Sequence, residues 1–306
     1  MRNVFSETLY ECATKDPSIY IVVADISPAG SMMKFRDEYP ERFLNVGVAE
    51  QSMIGICAGL ALKGNQAFAY TIATFTLYRP FEMVRDDLCY QNLPVTVVGM
   101  GTSVVYSTLG GTHHTQEDVA IASAIPNMQI LAPCDPLEAR LATIHCATQK
   151  KGPVYLKLGK AGEPVLTENA EEPFEFGKLR YIQKGHDTCV ISYGPITSMA
   201  FEIAEQLRGD GESVSVMSAH TIKPLDREGV VRALTDHKRV IVLEENAPHG
   251  GLGSRVKEIA WDINAHCDLK CFALKDEFIH FYGSYEGLLE AHGLSTGQIL
   301  GALKRM

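Results

Sequence analysis

The run Asn45-Val46-Gly47-Val48-Ala49-Glu50-Gln51 sets one carboxylate where a short apolar stretch passes into a helix. A Glu in the first helical turn ordinarily does no more than offset the helix dipole. Here Gly47 removes a side chain close by, and Ser52, Gly55, Ala58, Gly59 and Ala61 make a small-residue helix that can pack closely. Glu50 is therefore singled out as more than a capping carboxylate. A second group is Thr71-Ile72-Ala73-Thr74-Phe75-Thr76-Leu77-Tyr78. Phe75 and Tyr78 stand at helical spacing, which by itself suits core aromatics; only alongside the Glu50 segment do the walls of a slot for a flat ring become the better reading. A third is Gly110-Gly111-Thr112-His113-His114. Adjacent histidines rarely converge on one metal unaided, and no Cys or HxxxH partner stands near, so a metal reading is disfavoured.

The elements that hold these groups are legible from apolar runs. Ile19 to Ala24, Phe43 to Val46, Gln66 to Thr71, Pro94 to Gly99, Met128 to Leu131 and Val154 to Leu158 read as strands. Between them, helices are expected at 31–39 (stopped by Pro40), 50–63, 80–91 (opened by Pro80) and 136–148 (opened by Pro136). This alternation indicates a doubly wound α/β domain. Residues 165–186 break the rhythm, and acidic Thr167-Glu168-Asn169-Ala170-Glu171-Glu172-Pro173 reads as an exposed linker. A second α/β unit follows, with strands at 188–192, 214–217 and 239–243 and helices at 198–207 and 226–234. The fold class expected is thus α/β with two doubly wound domains, at 1–165 and 187–306, joined by a linker at 166–186.

Composition limits the function. A chain of 306 residues can fill two cores. Net charge −9 argues against a nucleic-acid binder, which would carry a basic patch. No apolar stretch is long enough to span a bilayer. Met1 to Glu7 offers no apolar signal core, so a cytoplasmic location is expected. Eight scattered Cys without a CxxC pair suggest reduced thiols rather than disulfides or a zinc site.

The segment from Asp25 to Leu62 resembles the pyrimidine-binding domain of the transketolase family, and the resemblance extends over nearly the whole chain. It implies that Glu50 activates thiamine diphosphate by hydrogen-bonding its aminopyrimidine. Phe75 and Tyr78 match two members of the aromatic cluster around that ring, and Ile72 stands where a third aromatic often lies. His113 matches the His of a Gly-x-Thr-His-Gln element that reaches the reacting carbons of the sugar donor; its neighbour, usually Gln, is His114. Lys160 stands near an Arg that often binds the substrate phosphate, though Lys supplies charge without a bidentate fork. Ile191 to Gly194, Thr221 to Asp226, Glu244 to Asn246 and His249 to Ser254 are similar to the family's C-terminal domain.

The departures bear on substrate. Leu109 replaces an Asp that binds a donor hydroxyl, and Gly101 replaces a His that contacts the sugar. A Leu cannot accept a hydroxyl hydrogen bond, and leaving that group unpaired in a closed pocket is costly. A deoxy, branched or otherwise modified sugar phosphate, or an unrelated 2-oxo donor, would suit this wall. The family's Gly-Asp-Gly…Asn segment, which holds Mg²⁺ (or Ca²⁺) and the diphosphate, is not found. A separate N-terminal diphosphate-binding subunit is therefore expected as partner, in a homodimer or a heterotetramer with two copies of each chain. The leading expectation is a transketolase-like subunit that moves a two-carbon ketol unit from a sugar phosphate to an aldose. The beta subunit of a 2-oxo-acid dehydrogenase decarboxylase component and a non-catalytic structural partner are the competing readings. The Gly-x-Thr-His element and Phe75 favour the first; retained Glu50 and His113 argue against the last.

Overall fold

The computed structural model describes residues 1–27 and 30–305. The first half begins with α1 (Arg2–Ala13), in which Phe5, Leu9 and Ala13 recur every four residues and are buried. Then come β1 (Ile19–Val23), α2 (Ser31–Glu38), β2 (Phe43–Asn45), α3 (Glu50–Leu62), β3 (Gln66–Ile72) and α4 (Ala73–Leu77). The chain continues with α5 (Phe81–Met83), β4 (Val95–Met100), α6 (Asp118–Ala124), β5 (Gln129–Leu131), α7 (Pro136–Thr148) and β6 (Val154–Leu158). Strands β4 and β6 are buried at every position, as β-branched runs covered by helices on both faces should be. Pro136 occupies the first turn of α7, and Asp135 caps it by accepting from Glu138 N at 2.7 Å.

The second half holds β7 (Arg180–Gln183), β8 (Thr188–Ser192), α8 (Thr197–Gly209), β9 (Val214–Ser218), β10 (Thr221–Lys223), α9 (Arg227–Asp236) and β11 (Arg239–Leu243). It ends with α10 (Leu252–Asp262), β12 (Asp268–Phe272), α11 (Tyr285–Ala291) and α12 (Thr296–Lys304). Two sheets result. The first has the order β10-β5-β6-β4-β3-β1-β2 and the second β12-β11-β8-β9-β7. Among the described residues, all strand pairings in the two sheets are parallel except β10 with β5 and β7 with β9. The first sheet is thus finished by a strand that belongs, in sequence, to the second half.

Two local expectations need correction. The linker region contains β7, where Arg180 and Ile182 point inward and Tyr181 and Gln183 are half-buried. That two-residue alternation is a strand signal masked by the acidic residues before it. Phe174 and Phe176 also tuck inward, stacking on His220 and His145 at 4.1 and 4.2 Å. The helix expected over 80–91 is α-helical only at α5; Val84–Tyr90 is a π-helical stretch, a form sequence periodicity does not announce.

Candidate active site

The turn from β2 into α3 sets Glu50. Gly47 adopts φ +69°, which a residue with a Cβ would resist. Asn45 Oδ1 ties the turn to the end of β1 by accepting from Gly47 N at 3.0 Å and Asp25 N at 3.2 Å. Glu50 is left in the first turn of α3, 3% exposed. Its partner is Arg79, whose Nη1 donates to Glu50 Oε1 at 2.8 Å. The Arg79 guanidinium also lies over the Phe75 ring, 4.1 Å from its centroid.

From Phe75 a line of contacts runs onward. His113 meets it edge to face at 5.2 Å between centroids, and Tyr106 in turn meets His113 edge to face at 6.1 Å. Lys160 Nζ then sits 4.9 Å from the Tyr106 centroid. Glu50 and Lys160 are thus the ends of one unbroken series through Arg79, Phe75, His113 and Tyr106. Thr112 Oγ1 lies 2.9 Å from His113 Nδ1 and engages that nitrogen. Burial, and secondarily the Arg79 charge, hold the His113 imidazole below its usual pKa, so it is neutral at pH 7.

Beside this line lies a pocket of about 340 Å³, lined among others by Phe75, Tyr78, Arg79, His114, Gln116 and Phe278. Tyr78 closes one wall, its hydroxyl donating to Glu117 Oε2 at 3.0 Å. Burial pushes the Tyr78 phenol upward, so it stays protonated as that donor. His114 is 3% exposed, and among the described residues neither ring nitrogen finds a well-formed hydrogen bond. Burial lowers the His114 pKa, and a backbone group of Tyr106 within hydrogen-bonding reach opposes that fall.

The loop carrying His113 is fastened at both ends. Thr115 N donates to Ser103 O at 2.9 Å, and Ala247 N of the second half donates to Gln116 O at 2.6 Å. Immediately after the loop, Asp118 opens α6 and is fully buried. It takes Lys157 Nζ at 2.6 and 2.8 Å and the Tyr155 hydroxyl at 2.7 Å.

The remaining sequence candidates fall in different places. Ile72 is half-buried at the end of β3, where α4 begins. Gly101 is buried with φ +78°, and a Cβ there would overlap the Tyr106 ring. The space a larger residue would need at 101 is therefore filled by Tyr106. Leu109 is 48% exposed and stands apart from the pocket wall. Lys160 is exposed, its ammonium over Tyr106. Sequence reasoning missed Arg79, Tyr106 and Glu117. Arg79 carried a signal: it lies four residues after Phe75, a spacing that places side chains together on a helix. Among the described residues, no three His, Cys, Asp or Glu side chains form a group able to hold a metal ion. Among those same residues, no helix is long and apolar enough to cross a membrane.

Comparison with known proteins gives these features a setting. Residues 1–162 match the transketolase pyrimidine-binding domain and residues 177–299 the transketolase C-terminal domain. The chain is 34% identical to an apulose-4-phosphate transketolase subunit of Phocaeicola vulgatus, over 84% of this chain and 82% of the relative. It is 32% identical to a 6-deoxy-6-sulfo-D-fructose transketolase subunit of a Clostridium species, over 99% of this chain and 92% of the relative. A solved split-gene transketolase, described as an inactive beta4 tetramer, superposes with a TM-score of 0.87 at 31% identity, covering 99% of this chain and 96% of that one. With both halves matched in order, and 82% and 96% of the apulose-4-phosphate relative and of the split-gene structure covered, the chain belongs to the transketolase family and carries its pyrimidine-binding and C-terminal domains, as one subunit of a split enzyme does.

Proposed function

We propose that this chain is the C-terminal subunit of a thiamine-diphosphate-dependent transketolase-like enzyme, transferring a two-carbon ketol unit from a modified sugar phosphate to an aldose. The observation that carries the reading is a buried carboxyl, Glu50, one guanidinium away from the face of Phe75, with neutral His113 against the same ring. These residues fit the pyrimidine end of the cofactor: a carboxyl to hydrogen-bond a ring nitrogen, an aromatic face to stack on, and Tyr78 beside them. When bound, thiamine diphosphate supplies the carbanion chemistry that breaks a bond next to a ketone. In this reading Glu50 fixes the ring and exchanges a proton with it, while Phe75, Tyr78 and Ile72 exclude water. His113, with Nδ1 engaged by Thr112, turns Nε2 toward the donor's hydroxyls. The partner is a diphosphate-binding subunit that brings Mg²⁺, in an assembly of two copies of each chain.

The donor preference is read from two positions of the loop: Gly101 carries no side chain and its space is filled by Tyr106, while Leu109 is exposed outside the pocket, so neither offers a donor hydroxyl a polar partner there. The relatives named above act, by their names, on apulose-4-phosphate and 6-deoxy-6-sulfo-D-fructose, which supports a donor other than an ordinary ketose phosphate. The test is Glu50→Gln in the chain assembled with its partner. Turnover should fall by about 10²–10⁴-fold, the usual loss for a positioned acid–base group, with the melting temperature little changed. Wild-type turnover in that variant would remove Glu50 from the chemistry and the proposal with it.

A further inference from the structure

Arg79 holds, in this chain by itself, the two contacts that an entering pyrimidine ring would need. It follows Phe75 by four residues, so its side chain folds back over that ring. The guanidinium carbon lies 4.1 Å from the Phe75 centroid, and Nη1 donates to the buried Glu50 Oε1 at 2.8 Å. A guanidinium is flat and delocalised; it stacks on an aromatic face while its N–H groups donate in its own plane. An aminopyrimidine is also flat, and it too needs a ring face and an in-plane bond to the same carboxyl. Two planar groups cannot occupy one face of Phe75 together. Of the three participants, Glu50 is sealed in, with its side chain 4% exposed, whereas that of Arg79 is 44% exposed. Arg79 is therefore the member free to leave.

We infer that Arg79 is a positioning residue that acts through Glu50. It stands in for the pyrimidine ring, keeping the Glu50 carboxyl aimed over Phe75 and the slot closed to water, and it swings toward solvent when the ring arrives. The same residue links the slot to His113, because the Arg79 charge helps hold that imidazole neutral. Departure of the guanidinium from Phe75 changes the field at His113 as the cofactor seats. The inference rests on the reading of Glu50 and Phe75 as the pyrimidine site.

The experiment uses the chain assembled with its diphosphate-binding partner. Thiamine diphosphate is titrated calorimetrically at fixed Mg²⁺ into wild type, Arg79→Met, Glu50→Gln and the double variant. Met keeps the length and apolar stem but cannot donate. Arg79→Met should bind the cofactor about five-fold more tightly, the equivalent of no longer breaking one half-exposed ion pair. In the Glu50→Gln background the gain should largely vanish, because its partner charge is already gone. Without cofactor, Arg79→Met should melt below wild type, and saturating cofactor should erase the difference. Equal or weaker binding by Arg79→Met overturns the stand-in role while leaving the pyrimidine site intact. No cofactor binding by any variant, wild type included, overturns both.

Discussion

Replacing Asp118 by Ala should be among the costliest single changes in this chain. Asp118 is fully buried and accepts from Lys157 Nζ at both oxygens, from Tyr155 OH and from Val119 N at 2.8 Å. Its removal leaves the Lys157 ammonium, 1% exposed, inside β6 without a counter-charge. At that separation the attraction is of order 6 kcal/mol for an effective dielectric of about 20. Much of it offsets the dehydration of both ions, so deleting one partner costs about 3–5 kcal/mol. The buried Glu245 carboxyl is a poor substitute: burial pushes it up to about 8 against the pull of Lys157, with the Asp118 charge adding to the rise. Urea unfolding followed by circular dichroism measures the loss as a fall in midpoint at unchanged slope. The double change Asp118→Ala with Lys157→Met should lose less than Asp118→Ala alone, because no charge is then stranded. A loss under about 1 kcal/mol for the single variant, or a double variant worse than the single, would refute the reasoning.

Two further outcomes are expected. His220 is buried, stacked on Phe174, and driven down to about 3 by burial and then by the Arg180 charge. Between the ordinary His value and that one the unfolded chain binds the extra proton, so stability is lost as the pH is lowered, by about 1.4 kcal/mol per pH unit from this residue; His220→Gln should flatten urea midpoints measured from pH 6.5 to 4.5, and an unchanged slope would contradict the assignment. Gly101→Ala should cost about 1–3 kcal/mol by overpacking against Tyr106, on top of the strain of a Cβ at φ +78°, and raise the His113 pKa seen by NMR as Tyr106 is pushed off it; adding Tyr106→Ala should recover only the overpacking part, and a neutral single variant would contradict both causes.

Much of the scaffold is legible because local chemistry agrees with the final packing. β-Branched runs such as Val95 to Val98 are buried on both faces, and Pro136 opens a helix where its missing N–H costs nothing. α1 is announced only by the spacing of Phe5, Leu9 and Ala13, which polar residues interrupt, so the segment looks unremarkable until its buried face is seen. β10 was not legible: Thr221 and Lys223 pair across to β5, about ninety positions earlier, and no local pattern records a partner that distant. At the site, Glu50 could be singled out from its neighbours in sequence, but its pairing with Arg79 depends on where two separate helices begin and end. Tyr106 was hidden for a similar reason. Its importance comes from lying on the bare backbone of Gly101, a relation among atoms that residue types do not display.

β10 also makes the two halves one object. With Thr221 and Lys223 paired to Leu131 and Ile130, it covers the outer edge of β5. From the same strand, Lys223 Nζ donates to Ser123 O and Ile125 O at 2.8 and 2.6 Å, satisfying carbonyls at the C-terminal end of α6. Excising residues 1–165 as an independent unit would open a row of unpaired amides and carbonyls, the kind of surface that recruits foreign strands. It would also unclasp the helix that Asp118 opens, directly behind the His113 loop. A protease nick in the acidic stretch at 167–173 should therefore leave the fragments together, held by β10 on β5.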